Sequence, residues 1–230
     1  MQENALLERY SNAFSVWSGH YTSFLEHHII DGQTYLSDGL FTEDAAYETL
    51  AGDFVNVNAA SGLVGGQAVN NADLTATNGV VHQMAGILSP SWYEETILDS
   101  LLNGVEMSTT ARRRLQEQER EEFSNLLDLL YATDLASDQA LAGFTTDGTS
   151  VIAPRDSAFE GLNVNANADE TTLLYHIVSS TVYKEEMNNN YNRLLSTRHP
   201  TAQLWVTVDA NGVMRYNDAV VRQEVFANNG

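Results

Sequence analysis

Three stretches of this 230-residue chain recur in the same order at nearly the same spacing. Phe24-Leu25-Glu26-His27-His28-Ile29-Ile30 is answered by Leu173-Leu174-Tyr175-His176-Ile177-Val178, with His28 over His176 148 residues on. Gln33-Thr34-Tyr35-Leu36 is answered by Thr181-Val182-Tyr183-Lys184, and Ala76, Asn78 and Gly79 by Ala227, Asn229 and Gly230, 151 residues on. A period near 150 is far longer than the roughly 20 to 50 residues of solenoid repeats, so it points to a duplicated, domain-sized unit. The first Asn-Gly leads into an apolar strand, Val80 to Leu88, closed by Ser89-Pro90, whereas the second stands at the end of the sequence. The expectation is a first repeat cut at its front and a second cut before its last strand.

A length of 230 residues accommodates two small domains, and 43% hydrophobic content is that of a globular chain. Thirty-one acidic residues face 11 basic ones, with Lys184 the single lysine. The only basic cluster, Arg112-Arg113-Arg114, is followed at once by Glu117, Glu119, Glu121 and Glu122, so nucleic acid is excluded as a partner class. Cysteine is absent, which removes disulfides, thiolate nucleophiles and cysteine-based zinc sites together. No run of 18 apolar residues occurs, and MQENALLERY carries charges where a signal peptide has its apolar core, so no membrane insertion is expected of this segment. A signal lost with the front of the first repeat is compatible with this.

Taken in order, Leu6, Leu7, Tyr10, Phe14 and Trp17 fall at helical spacing and predict helix over residues 1 to 30. From Asp31-Gly32 the chain turns short and Gly-rich, predicting antiparallel strands at Phe54 to Val57, Gln67 to Val69 and Val80 to Leu88, the last two parted by Asn70-Asn71. Asn78-Gly79 predicts a tight turn with positive φ. Tyr93 to Ala132 reads as one or two helices, with Ser108 as an N-cap, Arg112 to Glu122 as a solvated stretch and Phe123, Leu126, Leu127 and Leu130 as an apolar face. The tri-arginine stretch doubles as a candidate protease site. The domain boundaries expected are 1–92 for the first repeat, 93–117 for a helical linker and 118–230 for the second repeat.

In the second repeat, Val151-Ile152 predicts a short buried strand ended by Pro154. Asp156 or Ser157 is placed to cap a turn burying Ala158, Phe159 and Leu162. Asn163 to Asn167 reads as a loop and Glu170 to Val178 as a helix carrying Tyr175 and His176. Leu204 to Val208 and Val213 to Tyr216, joined by Asp209-Ala210-Asn211-Gly212, predict a hairpin with alternating faces.

Three stretches, TSVIAPRDSAFEGL, LLYHIV and NGVVHQMAGILSP, resemble the signature stretches of the fasciclin domain, and together they cover most of the chain. Departures from the family pattern are Ile152 for Phe, Arg155 for Thr, Gln83-Met84-Ala85 for an apolar-Ile-Asp run, and His27 for the motif tyrosine. The resemblance implies an α+β fold, a wedge-like β-sandwich with a cluster of helices, present in two repeats. It implies a non-enzymatic adhesion or matrix-binding module, extracellular or at the cell surface, whose partner is a protein receptor or matrix component. Family contact regions map onto Tyr175-His176, His27-His28 and Asp73-Leu74, against the plain alternative that Leu74 and the motif aromatic are core. The strand Val80 to Leu88 is also a candidate for exchange between repeats or chains. A second reading, a carrier of an apolar molecule such as a carotenoid, draws on Trp17, Trp92, Trp205 and the ten tyrosines as groove walls.

The chain's own chemistry adds no catalytic class. Six histidines occur, but no HExxH or comparable spacing, so no metal or cofactor is assigned. His28 and His176, at equivalent positions among apolar neighbours, are expected to be structural and hydrogen-bonded, and His82 likewise. No Gly-x-Ser-x-Gly elbow or phosphate-binding loop is present, and Asp209 to Gly212 lacks the later ligands of a calcium loop.

Overall fold

A computed structural model describes residues 8, 10–103, 123–138, 141, 148–161 and 170–230. They fall into two compact units, a smaller one of residues 20–93 and a larger one of residues 1–19 and 94–230. Leu6, Leu7, Ser108, the Arg112 to Glu122 stretch, most of the 93–117 linker, Leu162 and the Asn163 to Asn167 loop lie outside the described residues.

Helix α1 (Phe14–Glu26) contributes residues to both units and leaves helical geometry at Trp17, with φ −114 and ψ 22. The smaller unit continues with a short helix α2 (Ser37–Leu40) and a five-stranded antiparallel sheet in sequence order. Its strands are β1 (Ala45–Glu48), β2 (Phe54–Asn58), β3 (Leu63–Val64), β4 (Gln67–Ala76) and β5 (Gly79–Met84). Leu40, Val55, Val57, Val64 and Leu88 form its core, with Val55 and Val57 of β2 turned inward while the alternate Asn56 and Asn58 face out.

Three departures from the sequence reading shape this unit. Asn70-Asn71 does not end a strand, since β4 runs on to Ala76 through a bulge that shifts its register against β5 between Val69 and Leu74. The bulge places Asp73 at φ 60, a left-handed conformation that Asp tolerates. The turn after Ala76 closes with Ala76 opposite Gly79 but without positive φ at Asn78 or Gly79, and β5 ends at Met84 rather than Leu88. Beyond it Gly86 packs where a Cβ would lie 2.4 Å from the Gln67 Oε1. Strand β5 is held in a hairpin with β4, the pairing that any strand exchange has to break.

The larger unit contains α3 (Ile97–Asn103), α4 (Ser124–Ala132), β6 (Ser150–Val151), α5 (Glu170–Tyr175), β7 (Ile177–Val178), β8 (Tyr191–Ser196), β9 (Gln203–Val208), β10 (Met214–Tyr216) and β11 (Ala219–Val220). Strands β6 and β7 pair with each other, and the other four form a sheet in the order β11-β10-β9-β8. The β9–β10 hairpin follows the sequence pattern closely. Leu204, Val206 and Val208 are buried, Gln203 and Trp205 face out, and Gly212 sits at φ 78 in the turn. Asp209 Oδ1 fastens that turn by accepting from the N–H groups of Asn211 at 2.9 Å and Val213 at 3.0 Å.

The helical half of this unit packs Ile97, Leu101, Phe123, Leu126, Leu129, Leu130, Leu141, Leu173 and Ile177 together. Asp156 does not cap its own turn. Its carboxylate caps α4, accepting from the N–H groups of Ser124 (3.1 Å) and Asn125 (2.8 Å) and from the Ser124 hydroxyl (2.6 Å). Burial works against ionisation of Asp156, yet these bonds hold its carboxyl below the usual range. With the turn thus directed at α4, Ala158 is exposed and Phe159 only half-buried. Helix α5 stops at Tyr175, short of the expected Val178, because Ile177 and Val178 bond to β6 instead.

Candidate functional site

The Tyr-His positions of the two repeats each lie at the end of a helix, His27-His28 just past α1 and Tyr175-His176 across the last residue of α5. In the smaller unit, His28 Nδ1–H donates to the Phe24 carbonyl at 2.9 Å, and its Nε2 accepts the Leu88 N–H at 3.1 Å. Both partners are backbone groups whose roles are fixed, so the neutral Nδ1–H tautomer is the one that serves both. In the larger unit, His176 Nδ1–H donates to the Ile152 carbonyl at 3.0 Å, extending the β6–β7 ladder by one side-chain rung. Burial pushes the His176 imidazole below its ordinary value, partly offset by that bond. Both histidines join a helix end to a neighbouring backbone segment.

His27 is 3% exposed, and its Nδ1 has no hydrogen-bond partner, lying 3.8 Å from Asp53 Oδ2. Burial holds its imidazole below the ordinary value, with Asp53 pulling upward and His28 adding to the depression. Asp53 is a residue the sequence reading missed. Its Oδ1 accepts the N–H of Phe54 at 2.7 Å and its Oδ2 that of Ser91 at 2.8 Å, while its carbonyl takes both the N–H and the hydroxyl of Thr49. Its only sequence signal is its place after Gly52 in a turn.

Asp73 and Leu74 sit in the β4 bulge. The Asp73 carboxylate accepts from the Ser37 N–H (2.9 Å) and hydroxyl (2.5 Å), and the Asp73 N–H points at His82 Nδ1 across 3.4 Å. His82 Nε2–H donates to the Tyr35 carbonyl, so this histidine too is structural. The Ser37 hydroxyl and N–H hold the Asp73 carboxyl below the usual range. Clamped there, the bulge turns Leu74 outward directly opposite Val81 on β5. The pair is 42% and 57% exposed, so Leu74 is not a core residue.

Tyr175 is half-buried beside the start of β9. Its hydroxyl donates to the Gln203 carbonyl at 3.2 Å and accepts from Asn217 Nδ2 at 2.8 Å, and Asn217 in turn bonds the backbone of Trp205 in both directions. Trp205, 48% exposed, lies outward beside Leu194 of β8. Trp17 packs on Tyr10, and Trp92 lies against His20 and Tyr93. Both are buried, so the apolar groove expected from the tryptophans is not built from these two. Among the described residues no three His, Asp or Glu groups gather as a metal centre requires.

The Fasciclin domain model matches residues 5–90 and again residues 121–230, most of the chain in two stretches. The chain belongs to the fasciclin domain family. Two matched stretches make it a tandem of fasciclin domains, and its helices and antiparallel sheets are of the α+β class. A solved FAS1 domain pair from the insect cell adhesion molecule Fasciclin I is similar over 97% of this chain and 81% of its own, at 17% identity and a TM-score of 0.44. No curated protein matches the sequence. Among the described residues of this fasciclin pair, no helix is long and apolar enough to cross a membrane.

Proposed function

We propose that this chain is a non-enzymatic adhesion or matrix-binding module, working outside the cell or at its surface and contacting a protein receptor or matrix component. Membership of a family of adhesion domains supports the class of function. The observation that carries the location is the Leu74–Val81 pair beside Asp73. Single exposed apolar side chains are ordinary, but two directly opposed across a hairpin, next to a carboxylate held by Ser37, offer an apolar contact with a fixed charge at its rim. In this reading Asp73 and Leu74 touch the partner and Tyr175 offers a second contact, while His28 and His176 hold the backbone around them and His27 stays buried.

The test is attachment of adherent cells to surfaces coated with the chain or with its Leu74→Ser/Val81→Ser variant. Exposed positions of this kind leave the fold intact, and loss of a central contact costs about tenfold or more in binding. Attachment that falls at least that far with an unchanged melting temperature supports the proposal. Equal attachment to both surfaces overturns the assignment to this pair, and attachment no greater than to albumin overturns adhesion itself.

A further inference from the structure

The segment that leaves the smaller unit is fastened by two backbone N–H groups, and each fastening involves one of two adjacent histidines. The Leu88 N–H is held by His28 Nε2 at 3.1 Å, and the Ser91 N–H by Asp53 Oδ2 at 2.8 Å, the oxygen that lies 3.8 Å from the unpartnered Nδ1 of His27. We propose that His27 and His28 form an acid-operated latch on Leu88–Ser91, closed when both imidazoles are neutral and released when they take up protons.

The chemistry of each half follows from the geometry. His28 accepts with a lone pair, so a proton on Nε2 removes the acceptor and sets an N–H against the N–H of Leu88. The other ring nitrogen is already spent on Phe24, which leaves no tautomer that restores the bond. His27 is closed to water, and a proton on it creates a charged donor within reach of Asp53 Oδ2, in competition with Ser91 for that oxygen. The titratable groups facing His27 are Asp53 from the β1–β2 turn and His28 from the end of α1. Along the same helix, Phe24 packs on Tyr93 and His20 on Trp92, so the aromatic residues just after Ser91 rest on this helix as well. A proton on one imidazole opposes a proton on the other, so release of the two amides is spread over pH rather than simultaneous. Neutral His27 and His28 therefore hold the segment, and acid loosens it while β2 and β3 keep their pairing.

Hydrogen exchange on the full chain tests the latch at about pH 7.5 and about pH 5.5, which bracket imidazole titration, with amide protection corrected for the intrinsic pH dependence of exchange. Protection at Leu88 and Ser91 is expected to fall about tenfold or more in acid relative to Val57, a loss of the kind produced by local opening. In His28→Gln the Leu88 response disappears and the Ser91 response stays, and in Asp53→Asn the Ser91 response disappears. An unchanged ratio of these amides to Val57 in the wild-type chain overturns the proposal. So does a response that persists in the His27→Gln/His28→Gln chain. Because these variants perturb packing, an NMR titration of the wild type supplies an independent readout. The Leu88 and Ser91 amide shifts are expected to move in step with the His28 and His27 ring protons as acid is added, and amide shifts that move independently of both rings contradict the latch.

Discussion

The Nδ1–H of His176 donates to the Ile152 carbonyl across 3.0 Å while the Ile152 N–H donates back to the His176 carbonyl across 2.9 Å, so one residue supplies both halves of a ladder rung. Replacing it with Ala leaves the Ile152 carbonyl without its side-chain donor. Loss of a part-buried hydrogen bond of this kind costs about 1 to 2 kcal/mol. Urea unfolding of His176→Ala is expected to show that loss at neutral pH, most of it confined to the transition of the larger unit.

Stability should also fall in mild acid. His27 and His176 both have folded-state values depressed by burial below the ordinary 6.5. For a depressed histidine the unfolded chain takes up its proton first, so the stabilisation is complete above about pH 6.5 and is lost as pH falls through that value toward the folded one. A urea midpoint that declines over this window in the wild type and declines less in His176→Gln is the predicted outcome.

Gly19 is set against the ring of Tyr183 so closely that an added Cβ would lie 2.3 Å from Cδ1. The ring cannot retreat freely, because the Tyr183 hydroxyl donates to the Val16 carbonyl at 3.2 Å and the ring stacks on Phe226. Gly19→Ala is expected to cost about 1 to 3 kcal/mol as overpacking, read as a lower melting temperature. Partial recovery in Gly19→Ala/Tyr183→Leu would confirm the steric cause.

Asp156 caps α4 from 31 residues away in sequence, through Ser124 and Asn125. Asp156→Ala should cost about 1 kcal/mol, the usual value of an N-cap, with Asp156→Asn losing less. Its folded value is lowered, so the contribution is present above the unfolded carboxyl value of about 3.8 and is lost as pH falls through the folded one. Denaturation of wild type and variant should converge in strong acid.

Asn229 is fully buried, its Oδ1 accepting the Ile97 N–H at 2.7 Å and its Nδ2 donating to the Leu141 carbonyl at 3.2 Å. Asn229→Ala strands both backbone groups, a loss of about 2 kcal/mol or more in thermal unfolding, and Asn229→Asp should recover only the first bond.

What was legible in the sequence follows the range of the interactions. The β9–β10 hairpin could be read because alternation and Asn211-Gly212 are local signals. The structural role of His28 and His176 followed from their repeat positions. By contrast, Asn70-Asn71 looked like a turn because their β propensity is low, and the strand survives there only through the bulge and the hold of Ser37 on Asp73. Helix α5 loses its last residues to pairing with β6, a contact 26 or more residues away that periodicity cannot see. Residues up to Gly19 group with the larger unit for the same reason, with the Tyr10 hydroxyl on the Asn228 carbonyl and Thr181 on that of Val16. Of the candidate site, Asp73 and Leu74 could be named by family resemblance, but the exposure of Leu74 depends on the bulge. Val81, its partner, lies within the NGVVHQMAGILSP stretch but was legible there only as a strand residue, and Asp53, beside His27, carries no motif.

The most direct test of a binding module is saturable binding of fluorescently labelled soluble chain to intact adherent cells. The account predicts a binding curve that unlabelled wild-type chain competes away and that unlabelled Leu74→Ser/Val81→Ser chain does not. Binding that never saturates, or that both chains compete equally, contradicts it.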